Sequence, residues 1–496
     1  MIKQIKPILF SMTAIALFAV VGCKKGTFDI NSPNPNVPST VPVQFSLSSA
    51  IKESADLMYN GNENFMQYWM GYWAVSGDYI PSNSVVLYQL NTDYFSANWD
   101  AAYLNLKNYD VIEAASITNA SPNYEAVAKI MKAFVYQRIV DLYNNAPYTS
   151  ALNGGTDNFP TYDKSADIYK SLIAKVDSAI DLIKGAGVGS AAPGSDDVLF
   201  GGDMNMWLKF ANTLKLKLLM RTTVNPIMDI KGELGGLTAD DFLGAGEDAA
   251  VNPGYQNVAG QQNPQWADFG FVPAGQPTTD NAYYRACTYV VDFYQNNNDP
   301  RDAYFFSPNT NGDIKGRAFG STALEHNTEI SGPDGQGILK SPSQDAVILP
   351  AFESLFLQAE AVQRGYLSGT ASDLYSSAVT ESFRLLGVSE YESAATTYIS
   401  QAANANTNFA YSSDKIKTII TQKWAALNAY DPLESFSDWR RLKIPADLPV
   451  SIYPGNTAPH VPYRLLYPSS EYNYNATNVN GEGTIDPLSS KIFWMP

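Results

Sequence analysis

Histidine and cysteine are nearly absent from this chain of 496 residues, which holds two of each: His326 and His460, Cys23 and Cys287. Two histidines leave little from which to build a Ser-His-Asp triad or a Cys-His pair, and neither a nucleophile elbow nor a cysteine-protease signature occurs. A zinc site of His and Cys is equally poorly supplied, so no metal site is expected and each histidine reads as a loop residue. Charge is sparse as well, at 17% of residues, and it is unbalanced toward acid, with a net charge of -16. Such acidity argues against nucleic acid or an anionic membrane surface as the ligand. No glycine-rich loop carries the Lys-Ser/Thr pair of a phosphate cradle, since "GGLTADDFLGAG" and "GPDGQG" both lack it, and no other cofactor is implied. The one long apolar run, Ile8 to Val21, is too short to cross a bilayer as a stable helix.

That run has a different reading. Lys3 and Lys6 precede it and Gly22 and Cys23 follow it, the layout of a bacterial export signal. Val20-Val21-Gly22-Cys23 resembles a lipobox, in which cleavage leaves a lipidated cysteine as the new N-terminus. Residues 1–22 are therefore expected to be a signal peptide, and Cys23 the point of lipidation. Residues 23–42, punctuated by Pro33, Pro35, Pro38 and Pro42, are expected to form a flexible tether. Loss of Lys3 and Lys6 leaves the chain two units more negative, and Cys287 is left without a disulfide partner.

Residues 43–496 read as one mostly α-helical body. Apolar residues recur at helical spacing from Ser121 to Tyr143, between a Ser-Pro start and an Asn-Asn stop, and from Ser165 to Lys184. A third helix starts at Asp203, a plausible cap, and carries Trp207, Phe210, Leu214 and Leu218. Two helical stretches between Ala351 and Gly387, joined by "GYLSGTAS", resemble a tetratricopeptide-type pair, and Asp414 to Leu427 is a further helix. Residues 185–203, 225–281, 308–343 and 445–496 are rich in Gly, Pro, Asn and aromatics with little periodicity. Long irregular segments on a helical scaffold are where binding sites usually lie.

The richest feature is aromatic: 12% of residues, including 31 tyrosines. In the stretch from Asn64 to Trp99, Phe65, Trp69 and Tyr72 keep helical spacing and read as core. From Ser76 on the period breaks, and Tyr79, Tyr88 and Tyr94 stand among Asn83 and Asn91. A second region, "NPQWADFGFVPAGQPTTDNAYYRA", offers Trp266, Phe269, Tyr283, Tyr284 and Arg285. Sugar rings present apolar C–H faces inside a rim of hydroxyls, which flat aromatics beside amides match. These ten residues are the candidate ligand contacts, with Tyr79, Tyr88, Trp266 and Tyr284 stacking and Asn83, Asn91 and Arg285 bonding hydroxyls. No catalytic pair can be singled out among 49 acids, whose separations the sequence hides.

Several stretches together resemble the SusD/RagB family of lipoproteins, in its SusD-like branch. They include "FDINSPNPN" after Cys23, "AKIMKAFVYQRIVDLYNNAPYTSAL", "LFGGDMNMWLKFANTLKLKLLMR", "NNNDPRDAYF", "LQAEAVQRG", "FSDWRRLKIP" and "VPYRLLYPSSEYNYN", in the family's order. The resemblance implies tetratricopeptide-like helix pairs forming a right-handed scaffold with a loop-rich ligand-binding part. It implies an outer-membrane, lipid-anchored protein facing the cell exterior. Such a protein captures a nutrient, commonly a glycan such as starch, and closes over a SusC-like TonB-dependent transporter without catalysis. Trp207, Trp424 and Trp439 fall in scaffold-like stretches and are assigned to packing. Asn144-Asn145 stands where the family usually has Gly-Asp, so this turn is expected to be shaped differently. Two other readings compete: a surface glycoside hydrolase using loop carboxylates, and a structural or peptide-binding lid without glycan affinity of its own.

Overall fold

In the computed structural model, which describes residues 43–59, 61, 64–154 and 158–496, ten helices carry the body. They are α1 (Val43–Tyr59), α2 (Ser96–Thr118), α3 (Pro122–Tyr143), α4 (Ser165–Gly185), α5 (Met204–Arg221), α6 (Ala351–Gln363), α7 (Ala371–Leu386), α8 (Tyr391–Ile399), α9 (Lys415–Leu427) and α10 (Pro432–Leu442). The expected signal peptide, Cys23 and the tether lie outside the described residues.

The legible helices form where local chemistry says they should. Proline opens α3, where its missing N–H costs nothing, and Asn144 closes it at φ 70°. The Asp203 carboxylate accepts from the N–H groups of Asn205 and Met206 to cap α5, and Asp414 caps α9 through Lys417 N–H. Gly387, at φ 77°, supplies the left-handed residue that ends α7. Short turns join α2 to α3, α6 to α7 and α7 to α8, while the longer segments 144–164 and 186–203 lead from α3 to α4 and from α4 to α5; in all five cases the two helices pack together. These are tetratricopeptide-like pairs, and α3 at their centre is buried almost all round.

Helix α2 carries no clean apolar stripe. In α2, buried Asn105 donates to Ala50 O at 2.8 Å, and buried Glu113 takes Lys129 at 2.7 Å and Lys132 at 2.9 Å. Polar residues thus occupy core positions and blur the period. Helix α10 also carries charge into the core, with Glu434, Asp438, Arg440 and Arg441 all buried.

Arg440 is held by the carbonyls of Phe436, Asp141 and Tyr463 and by Ser437 Oγ; the other three belong to an ion network that joins α3, α5, α6, α9 and α10. Lys217 Nζ lies 2.7 Å from Glu353 Oε1 as an ion pair without hydrogen-bond geometry, 3.1 Å from Asp431 and 3.2 Å from Glu434. Arg221 bridges Asp141 at 3.1 Å and Glu434 at 2.5 Å, and Lys423 pairs with Glu434 and with Asp438 at 3.0 Å. Arg441 holds Glu360 at 2.6 Å and Asp438 at 2.7 Å, and Arg138 reaches Asp431 at 3.2 Å. Buried charges are tolerable only when paired, and here nearly every one has more than one partner. Burial alone would raise the Glu360 carboxyl, yet Arg441 pulls it down to about 2, while burial lifts Glu353 to about 7 against the pull of Lys217.

The loop-rich part is organised by two-stranded ribbons. Trp73–Val75 pairs antiparallel with Tyr284–Ala286, and Ala249–Val251 pairs with Ala346–Leu349. The Asn144-Asn145 turn is knitted by its amides: Asn144 Oδ1 accepts from Ser165 Oγ at 2.8 Å and Phe493 N at 2.9 Å, and Asn145 Nδ2 donates to Glu482 at 2.7 Å.

Candidate functional site

The first ribbon brings together the two aromatic regions that lie about two hundred residues apart in sequence. Val75 stands opposite Tyr284 and Ala74 opposite Arg285, and Ser76 N–H continues the ladder to Tyr283 O at 2.9 Å. Immediately beyond the ladder the chain turns outward, and the Tyr79 ring meets Tyr283 edge to face with centroids 5.3 Å apart. Tyr79 is exposed and Tyr283 half-buried, so this pair forms an aromatic lip, with Ile80 exposed beside it.

A polar clamp fixes the lip. Asn327 Oδ1 accepts from Ser76 Oγ and from Arg285 Nε, each at 2.6 Å, while Asn327 Nδ2 donates to Ala282 O at 2.8 Å. Asn327 N–H donates to Asp78 Oδ2 at 2.9 Å, and the His326 ring lies 2.6 Å from Asp78 Oδ1. The Asn327 N–H and the His326 ring hold the Asp78 carboxyl below its ordinary value. Gly77 sits against this loop so closely that an added Cβ would stand 2.3 Å from Glu325 O.

Close to the lip lies a cluster of buried polar groups. Asp268 and Asp280 share a hydrogen bond; burial, then the neighbouring Asp280 charge, raises Asp268 to about 7, and burial raises Asp280 as well. Asn64 Nδ2 donates to Asp268 Oδ2 at 2.8 Å. The hydroxyls of Tyr68 and Tyr94 and the indole N–H of Trp266 are buried without a hydrogen-bond partner among the described residues. Native proteins rarely leave such groups unpaired, and here the hydroxyls of Tyr136 and Tyr143 on α3 are unpaired as well.

The ten sequence candidates divide accordingly. Tyr79 and Tyr283 meet at the lip, Asn83 and Asn91 are exposed on the segment that follows it, and Trp266 is half-buried against Phe271 at 5.5 Å. Tyr94 is half-exposed with a buried hydroxyl. Tyr88 does not fit the stacking role expected of it: it is 4% exposed, and its hydroxyl accepts from Ser451 N at 3.0 Å. Tyr284, expected to stack, packs its ring on Trp73 at 5.1 Å, and Phe269 packs on the same indole at 5.0 Å. Arg285 is likewise buried, its guanidinium donating to Asn281 O and Ala282 O rather than facing a ligand. Of these four, Tyr284 packs against Tyr283 at 5.5 Å and Arg285 is tied to the clamp, so these two support the lip. The residues that sequence reasoning missed are Asp268, Asp280, Asp78 and Asn327; both carboxylates of the shared pair stood inside the quoted second region, flanked by aromatics.

Residues 35–468 match the SusD-like family model, described as starch-binding and associating with the outer membrane. No curated protein matches the sequence. Among solved structures, a chitin-binding protein is 24% identical, with a TM-score of 0.75 over 91% of this chain and 99% of its own. A chitin-binding SusD homolog from Flavobacterium johnsoniae is 23% identical, with a TM-score of 0.72 over 90% and 98%. A SusD homolog from Bacteroides fragilis is 19% identical, with a TM-score of 0.74 over 92% and 99%. At these identities the likeness establishes the fold.

Proposed function

The chain belongs to the SusD-like family of starch-binding proteins that associate with the outer membrane, and from that premise we propose that it captures an oligosaccharide without cleaving it. The observation that carries this reading is the Tyr79–Tyr283 lip, two tyrosines held at an edge by the polar clamp, with Asn83 and Asn91 exposed on the segment that follows in sequence. Aromatic faces remove apolar sugar C–H surface from water, and amides satisfy the hydroxyl rim. In this reading Cys23 carries the lipid, the tether spaces the body from an outer membrane, and the body faces the exterior as the lid of a SusC-like TonB-dependent transporter.

The hydrolase alternative gains no support from the paired carboxylates close to the lip. Asp268 and Asp280 are in hydrogen-bond contact, whereas glycosidic cleavage needs two carboxyl groups about 5–5.5 or 6.5–9.5 Å apart across the scissile bond. Incubation with soluble starch and with chitin oligosaccharides, followed by a reducing-end assay, tests this directly. Binding without new reducing ends is expected; accumulating reducing ends would overturn it. Co-purification of a TonB-dependent transporter with the tagged, membrane-extracted protein tests the lid role, and its absence from every such preparation would remove that part.

A further inference from the structure

We propose that a second saccharide subsite, distinct from the Tyr79–Tyr283 lip, lies in the cleft between the helix Thr288–Asn296 and α9. It takes its ligand class from the function proposed above but uses none of the lip's residues. The cleft has a volume of about 610 Å³, within the usual range of small-molecule sites. One wall is a single helical face, with Tyr289, Asp292, Phe293 and Asn296 at i, i+3, i+4 and i+7. The opposite wall repeats the device with Lys417, Thr421 and Trp424 on α9.

The floor is aromatic and rigid. The Trp424 indole lies under both wall aromatics, T-shaped to Tyr289 at 5.6 Å and to Phe293 at 5.1 Å, and its N–H is tied to Met70 O at 3.0 Å. Tyr289 rests on Gly71, where an added Cβ would come 2.7 Å from a ring carbon, and its hydroxyl donates to Asp447 Oδ1 at 2.7 Å. Tyr289 and Phe293 remain half-buried, their uncovered surface lining the cleft. One end is closed by Asn297, whose Oδ1 accepts from Asn404 at 3.0 Å and Asn406 at 3.3 Å.

Around this floor the side chains of Asp292, Asn296 and Lys417 make no hydrogen bond or ion pair to any described residue. The rim therefore offers free acceptors and free donors together, as hydroxyls that both donate and accept require. Two carboxylates against one ammonium disfavour an anionic ligand, and the charged rim disfavours a wholly apolar one. A neutral sugar ring, apolar on its face and hydroxylated at its edge, fits both features.

The test is calorimetric titration of full-length protein in detergent with maltotriose and with chitotriose. Three proteins are compared: wild type, the lip variant Tyr79→Ala/Tyr283→Ala, and that variant carrying also Asp292→Ala/Lys417→Ala, two exposed positions outside the core. The expected result is that the lip variant retains one saturable site, whose Kd rises about tenfold or more when the cleft pair is added. Loss of all binding in the lip variant, or residual binding indifferent to the cleft pair, would overturn the subsite and leave the lip standing. No binding by wild type to either saccharide, or to longer chains of both, would overturn the proposed function and the subsite with it.

Discussion

The scaffold and the lip solve the problem of buried polarity in opposite ways. In the scaffold, ionised side chains are taken fully out of water but are matched against opposite charges, as where Glu434 meets Arg221, Lys217 and Lys423. Close to the lip, Asp268 keeps a proton shared with Asp280, and Tyr68 and Tyr94 leave hydroxyls unbonded. A matched network fixes one geometry and has little left to offer a ligand. An unmatched cluster has groups to spare, and it lies on the side where aromatic rings are exposed. The scaffold keeps unbonded atoms too, at Tyr136, Tyr143 and Glu353, so what sets the lip apart is that its unbonded groups lie beside exposed rings.

The comparison breaks most violently at its best-paired residue. Glu434→Ala leaves three buried cations short of a partner, and removing one side of a buried pair typically destabilises by about 3–5 kcal/mol. A loss of that size in chemical denaturation is expected; a change below about 1 kcal/mol would mean that the network contributes little. At the lip the effect moves from stability to binding. Tyr79→Ala/Tyr283→Ala is expected to weaken oligosaccharide affinity about tenfold, or about 1.4 kcal/mol, with the melting temperature nearly unchanged. A fall in melting temperature at constant affinity would assign both rings to packing.

Legibility followed the same division. Helices α3, α4 and α5 were readable because their apolar residues recur with the helical period and their ends carry Pro, Asp or Asn signals. Helix α10 keeps an apolar stripe of Leu433, Phe436 and Trp439, but nothing in "LESFSDWRRL" says that its charged face is buried as well. Trp207, Trp424 and Trp439 are buried, as expected of packing residues. At the site, both aromatic regions were visible as composition, but only the pairing of Trp73–Val75 with Tyr284–Ala286 says which rings face out. Tyr283 ends the short helix Thr279–Tyr283 and Tyr284 opens the strand, a boundary between the two neighbouring tyrosines that composition does not reveal.

Smaller effects sharpen the contrast. Asn144 adopts φ 70°, ψ -111°, which glycine prefers. Asn144→Gly relieves that strain but removes the acceptor for Ser165 Oγ and Phe493 N. A net loss of about 1 kcal/mol is expected, and a gain in stability would show that the strain outweighs the bonds.

The smallest effect is titrational. Because Asp268 sits at about 7 in the folded protein, against about 4 in an unfolded chain, the fold holds a proton that unfolding releases. This contribution is complete below pH about 4 and is lost as pH rises toward 7. Asp268→Asn, which keeps both an acceptor for Asn64 and a donor for Asp280, should therefore flatten the decline in melting temperature between pH 5 and 8. Asp280, raised by burial, and Glu353, raised by burial to about 7, contribute to the slope that remains, and a variant profile parallel to wild type would contradict the shared proton.

The most direct test of the central claim is a fluorescence titration of the soluble chain from residue 24 onward with starch and chitin oligosaccharides, repeated with Tyr79→Ala/Tyr283→Ala. Saturable binding to one glycan class, weakened about tenfold by the double substitution, is the predicted result. Silence across both series, or wild-type affinity in the variant, would contradict it.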